Sequence, residues 1–153
     1  MSIWFHNTEN GEKIEFNSIK DFPENCFGFV YIITNKISRE YYIGKKYLYH
    51  KKTRKIGKKE KFLQEGKGRK KEKEISLVES DWKNYWSSSK DLKKQILELG
   101  ENNFERKILA FAFNSKHLNY LETRYQFIFG VLEDSNCIND NIAGRYFKKD
   151  LEF

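Results

Sequence analysis

Tyr31 and Tyr42 stand in two short β-like runs, Gly28-Phe29-Val30-Tyr31-Ile32-Ile33-Thr34 and Tyr41-Tyr42-Ile43-Gly44, separated by the turn-like Asn35-Lys36-Ile37-Ser38-Arg39. A turn centred between Lys36 and Ile37 pairs residues whose numbers sum to 73, which places Tyr31 opposite Tyr42 on one face of an antiparallel hairpin. Lys45 and Lys46 follow at once. A cation beside phenols that otherwise release a proton only near about pH 10 predicts acid–base chemistry on this face.

The charge pattern points to a polyanionic partner. The chain carries a net charge of +7, and residues 45–74 hold 14 Lys/Arg against 4 Asp/Glu, leaving 15 and 18 for the remainder, so the positive excess is entirely local. Residues 55–75, broken by Gly57, Gly66 and Gly68, read as a basic loop that tracks phosphates. Its candidate contacts, with the segment leading into it, are His50, Lys51, Lys52, Lys55, Lys58, Lys59, Lys67, Arg69, Lys70 and Lys71. His6, His50 and His117 are scattered and make no zinc pattern.

The elements that must position these groups follow from periodicity. Tyr47-Leu48-Tyr49-His50 can open a short helix. Ser88 or Ser89 caps a helix whose Leu92, Ile96 and Leu99 share a face and which stops at Gly100. Phe104 to Phe113 reads as a central strand. A second helix runs from about Ser115 to Gly130 with an apolar stripe of Leu118, Leu121, Tyr125, Ile128 and Phe129, and Glu122 lies on the edge of that stripe, partly withdrawn from water. Trp82, Tyr85 and Trp86 are assigned to core packing, with stacking on unpaired bases as the rival role. The predicted fold is α/β, a small three-stranded antiparallel sheet flanked by helices in a single domain. Residues 1–26 form an N-terminal extension that packs on the domain, 27–147 the domain itself with a basic insert at 51–74, and 148–153 a tail.

At 153 residues and 16% aromatic content the chain can bury a core despite 33% charged residues. Cys26 and Cys137 lack any CxxC or Cys/His spacing and read as buried free thiols of a reduced, cytoplasmic protein. No apolar stretch approaches a signal peptide or membrane span.

Val30-Tyr31-Ile32 and Tyr42-Ile43-Gly44-Lys45 resemble the two half-motifs of the GIY-YIG nuclease superfamily; Phe29-Val30-Tyr31 stands where Gly-Ile-Tyr would, and the second half-motif is intact. Asp81-Trp82-Lys83-Asn84-Tyr85, Ser87-Ser88-Ser89-Lys90 and the ending Asn139-Asp140-Asn141-Ile142 extend the likeness, which is similar to small phage-encoded members. The resemblance implies that Tyr31 and Tyr42 line an active site assisted by Lys45, with Tyr31 as first choice for general base. It also implies an arginine on the helix after the second half-motif, a role open between Lys52 and Arg54. Glu122 becomes the metal ligand, and Asn139 the downstream asparagine with Asn141 as rival. The implied activity is an Mg²⁺-dependent DNA endonuclease, Mn²⁺ also serving, that leaves 5′-phosphate and 3′-hydroxyl ends; the alternative is a nucleic-acid-binding protein of this fold that turns over weakly or not at all. The implied partner is double-stranded DNA in a bacterial host cytoplasm, with no membrane, and a double-strand cut by a one-site domain requires a homodimer or two successive nicks.

Overall fold

The computed structural model describes residues 2–63, 68 and 73–152, without the side chain of Phe62. Alternation builds its centre. In β3 (Gly28–Asn35), Phe29, Tyr31 and Ile33 join one buried cluster and Val30 the other, on the opposite side of the sheet. β4 (Tyr41–Tyr47) and β7 (Phe104–Ala112) pair antiparallel on either side of it.

Two further strands extend the sheet. β1 (Trp4–Asn7) and β2 (Lys13–Phe16) form a hairpin, and β1 joins β7 in parallel through Trp4↔Arg106 and Phe5↔Lys107. The sheet is therefore five-stranded and mixed, in the order β2-β1-β7-β3-β4, and not the three-stranded antiparallel sheet expected. Burial drives the addition: Trp4, Phe5 and Phe16 are all withdrawn from water, and each fully buried side chain of this size contributes about 1.5–3 kcal/mol.

Each face of the sheet has its own core. On one side α2 (Lys90–Leu99), capped by Ser89 accepting the Leu92 N–H and stopped by Gly100 at φ +85°, covers an aromatic cluster that includes Trp4, Phe29, Tyr31, Trp82 and Phe104. On the other, α3 (Ser115–Ile128) covers Val30, Ile43, Ala112 and Val131. Its buried stripe is Leu118, Leu121 and Gln126; Ile128 and Phe129, expected to be inside, are exposed because the chain turns away there. Trp82 is fully buried, and both cysteines are free and buried.

The hairpin register differs by two residues from the expected one. Asn35 Oδ1 accepts the N–H groups of Ile37 and Ser38, and Arg39 adopts φ +68°, so the turn is longer and centres between Ile37 and Ser38. Tyr31 consequently faces Gly44, and Tyr42 faces Ile33. A two-residue shift preserves the face, and the two tyrosine rings remain neighbours with centroids 6.4 Å apart.

Of residues 55–75, expected to be a loop, the described ones include a short helix and the start of a strand. β5 (Tyr49–Lys55) and β6 (Lys73–Glu79) pair antiparallel as a separate two-stranded ribbon, and α1 (Lys58–Phe62) follows the first strand. No helix begins at Tyr47. Leu48 is buried, donating its N–H to the Phe27 carbonyl and accepting from the Ser80 N–H, which anchors both ends of the ribbon to the sheet. Lys67, Arg69, Lys70 and Lys71 lie outside the described residues. Among the described residues no helix is long and apolar enough to cross a membrane.

Candidate active site

β4 is an edge strand, and its free edge is where polar side chains gather. A cavity of about 520 Å³ is lined there by Tyr42, Lys45 and Ser88, by Asn119, Glu122 and Gln126 of α3, and by the loop from Asn139 to Gly144. It therefore draws on both sides of the sheet. Glu122 and Gln126 are four residues apart on α3, with Asn119 three residues before Glu122, so all three side chains share one helical face.

Glu122 is a partly buried carboxylate of this lining. Burial raises its pKa above the ordinary value, and the Lys45 ammonium, 3.6 Å away, opposes that shift without cancelling it. Lys45 is held a second time by a hydrogen bond to Asn119 Oδ1. The lysine expected to depress the tyrosine pKa is thus committed to Glu122. Strand alternation explains the difference: Tyr42, Gly44 and Lys46 point to one side of β4 and Lys45 to the other. It is Lys46 that reaches the phenol side, where its ammonium lies 4.0 Å from the Tyr85 ring centre and pairs with Asp81.

Neither phenol is acidified. Tyr31 is 1% exposed, enclosed by Trp4, Phe29, Tyr85 and Tyr42, and burial pushes its pKa well above 10. Tyr42 is also raised, chiefly by burial, although a hydrogen bond with Ser88 pulls it back. Of the two, Tyr42 lines the cavity, its hydroxyl 3.5 Å from Ser88 Oγ.

Asn139 serves the backbone. Its Oδ1 accepts the Ile43 N–H at 2.9 Å and its Nδ2 donates to the Ile43 carbonyl at 2.8 Å, so the side chain acts as one more strand partner for β4. Asn136 and Ile138 make the same kind of bonds to Tyr41, which extends the edge. Asn141 Oδ1 accepts the Gly144 N–H and shapes the loop over the cavity. Replacing Asn139 by Ala leaves the buried Ile43 N–H without an acceptor and is expected to cost about 2–3 kcal/mol in a denaturant melt. An unchanged midpoint would show that the clamp contributes nothing.

Gln126 adds to the clamp and retains one unused atom. Its Nε2 donates to the Ile43 carbonyl at 3.2 Å, which fixes the amide orientation, and its buried Oε1 has no partner among the described residues. Such an acceptor suits a water or hydrated cation in the cavity.

Arg54 and Lys52, the two candidates for the arginine role, lie away from this cavity. Both stand on β5, not on a helix, and neither lines the cavity. The Arg54 guanidinium is forked between Glu60 of α1 and Glu74 of β6, so it staples the ribbon. His50 is exposed on the same strand, opposite Val78.

Sequence reasoning missed two supports of the site. Arg106 is 4% exposed between Trp4 and Trp86 and donates to the carbonyls of Lys83, Tyr85 and Ser2; burial lowers its pKa to about 10. It thereby holds Tyr85 against Tyr31. Ser87 is buried at φ +82°, a conformation that costs a non-glycine residue about 1–2 kcal/mol, and its Oγ accepts the Ser89 N–H. The bend presents Ser88 to Tyr42.

The family model described as "Putative endonuclease segE, GIY-YIG domain" matches residues 10–150. No curated protein and no solved structure matches the chain.

Proposed function

Since the chain belongs to the family of putative segE endonucleases with a GIY-YIG domain, we propose that it is a divalent-metal-dependent DNA endonuclease whose cavity at the free edge of β4 hydrolyses a phosphodiester bond. The observation that carries this reading is the meeting of Tyr42, Lys45 and Glu122 in one polar cavity. A half-buried carboxylate held beside a lysine has little structural value in such a place, and a charge-binding site explains it.

The donor set fits a hard cation. Glu122 supplies a carboxylate, Asp140 lies in the same lining, and Gln126 Oε1, unpartnered among the described residues, is a further oxygen acceptor. Mg²⁺ retains most of its waters and takes one or two carboxylates, so a lining with Glu122 and Asp140 suits it. Glu122 would hold Mg²⁺, or Mn²⁺ in its place. When bound, the ion supplies positive charge against the phosphate and acidifies water.

The chain's own groups do the rest. Tyr42, as phenolate, takes the proton of the attacking water as the new O–P bond forms; the P–O3′ bond breaks, and the departing 3′ oxygen takes a proton from solvent. Lys45 keeps Glu122 ionised and faces the developing charge. Tyr31 backs Tyr42 from the core.

A phenol whose pKa lies above 10 is ionised more with every step in pH, so cleavage should rise about tenfold per unit from pH 6 to 9. Tyr42→Phe should lose about 10²–10⁴-fold in rate and flatten that slope. A plateau in the wild type from pH 7 upward would remove Tyr42 from the base role. Supercoiled-plasmid nicking with Mg²⁺ or Mn²⁺, against an EDTA control, measures both.

One observation favours the alternative of a binding protein with weak turnover: among the described residues Lys45 is the sole cation in the cavity lining. Intact plasmid, with binding retained and falling steeply as salt rises, would decide for it.

A further inference from the structure

The β5–β6 ribbon stands apart from the nuclease sheet, and its two faces differ. Lys51, Thr53 and Lys55 share one face with their direct partners Leu77, Ile75 and Lys73, while His50, Lys52 and Arg54 share the other with Val78, Ser76 and Glu74. The second face is tied down, because Arg54 binds both Glu74 and Glu60 and so draws α1 onto it. On the first face the carboxylate of Glu79 sits at the base, bonded to Trp82 Nε1. Further out that face carries, among the described residues, three lysines and no acid.

It is also uncovered. Ile75 is 63% exposed and Leu77 67%, on a two-stranded ribbon that among the described residues pairs with no other strand. An isolated two-stranded ribbon is marginal in water, so one that displays branched apolar residues between lysines is built to be covered by something anionic. Its dimensions select the occupant. Strands about 4.8 Å apart with side chains on both faces fit the roughly 12 Å major groove of B-DNA and exceed the roughly 6 Å minor groove.

Resting on the DNA endonuclease reading, we propose that this ribbon enters the major groove of the duplex and gives cleavage its sequence preference, with the Lys51, Thr53, Ile75 and Leu77 face turned to the base edges. Lysine ammoniums suit guanine O6 and N7, and the methyl groups of Thr53, Ile75 and Leu77 suit the thymine methyl. The ribbon continues the strand that carries Tyr42 and Lys45, and both its ends are anchored at Leu48. Thr53 follows Lys45 by eight residues. A chain of that length spans at most about 28 Å, so the bases read lie within roughly ten base pairs of the cut.

The test uses the full chain and a randomised duplex library, cleaved with Mg²⁺ and sequenced at the ends, together with binding in EDTA to DNA methylated at guanine N7. The expected wild-type result is a preference confined to about ten base pairs on one side of the cut, with N7 methylation in that stretch weakening binding at least tenfold. Replacing Lys51, Ile75 and Leu77 together by Thr, a residue at home in strands, should erase the preference by tenfold or more, whereas Lys52→Thr on the other face should weaken all sequences alike. Random cutting by the wild type, an unchanged preference in the triple variant, indifference to N7 methylation, or equal affinity for duplex RNA, whose deep narrow major groove excludes a ribbon, each overturns the proposal. Metal-dependent cutting that ignores the ribbon changes leaves the nuclease reading standing alone. Methylation-sensitive binding without any metal-dependent cutting removes the nuclease reading and keeps the ribbon.

Discussion

Glu122→Gln is expected to lower metal-dependent nicking about a thousandfold and, at the same time, to leave the metal-free protein at least as stable as the wild type. The two effects share one cause. Burial raises the Glu122 pKa in the folded chain even with Lys45 beside it, so the folded protein holds that proton more tightly than the unfolded chain does. Stability from such a group is fully present below its ordinary value near 4.5 and is lost as pH rises through the raised folded value. At neutral pH the ionised carboxylate therefore weighs against folding, and the neutral amide of the same shape relieves it. Melts of the two proteins without metal should nearly coincide at pH 4 and separate by pH 7, the variant higher. Added Mg²⁺ should raise the wild-type midpoint and leave the variant in place, since a ligand stabilises only the form that binds it. Equal Mg²⁺ shifts in both proteins, or nicking undiminished by the change, would move the metal away from Glu122.

That carboxylate was legible in the sequence because its signal is local: a helix period, an acid on the edge of an apolar stripe, and a known family pattern around it. The same holds for the β3–β4 hairpin, for α2 with its Ser89 cap, and for β7. Where the signal is not local, reading failed for identifiable reasons. The ribbon exposes both of its faces, so it lacks the alternation of apolar and polar residues that marks a half-buried strand, and the lysines and glycines between its strands read as loop. Asn139 reaches the backbone of Ile43 across 96 residues, a contact that periodicity does not contain. A lone Arg106 on a strand reads as solvent-facing until Trp4 and Trp86 are seen to enclose it. The placement of Lys45 was available in principle, since alternation alone separates it from Tyr42 whatever the turn length.

Gly44 shows how tightly the tyrosine pair is fitted, and its replacement should have the second-largest effect. A Cβ at this position would stand 2.6 Å from the Tyr31 hydroxyl oxygen, 2.8 Å from Tyr31 Cζ and 2.9 Å from Tyr42 Cε1. None of these atoms can yield freely. Tyr31 is wedged edge-on against Trp4 and Tyr85, with their ring centres 5.2 and 6.1 Å away, and its tip is not a flexible end in open solvent. Space, and not a left-handed backbone, is what the glycine provides here. Gly44→Ala should therefore cost about 1–3 kcal/mol of overpacking and, by displacing Tyr42 within the cavity, at least about 100-fold in cleavage. The clash can be separated from general damage to β4 by a second substitution. Tyr31→Phe removes the atom nearest the added methyl, so Gly44→Ala should cost clearly less in a Tyr31→Phe background than in the wild type, a coupling that a melt of the four proteins reads directly. Equal costs in the two backgrounds would mean that the alanine harms the strand itself, and that the phenol resting on Gly44 is not what reserves this position for glycine.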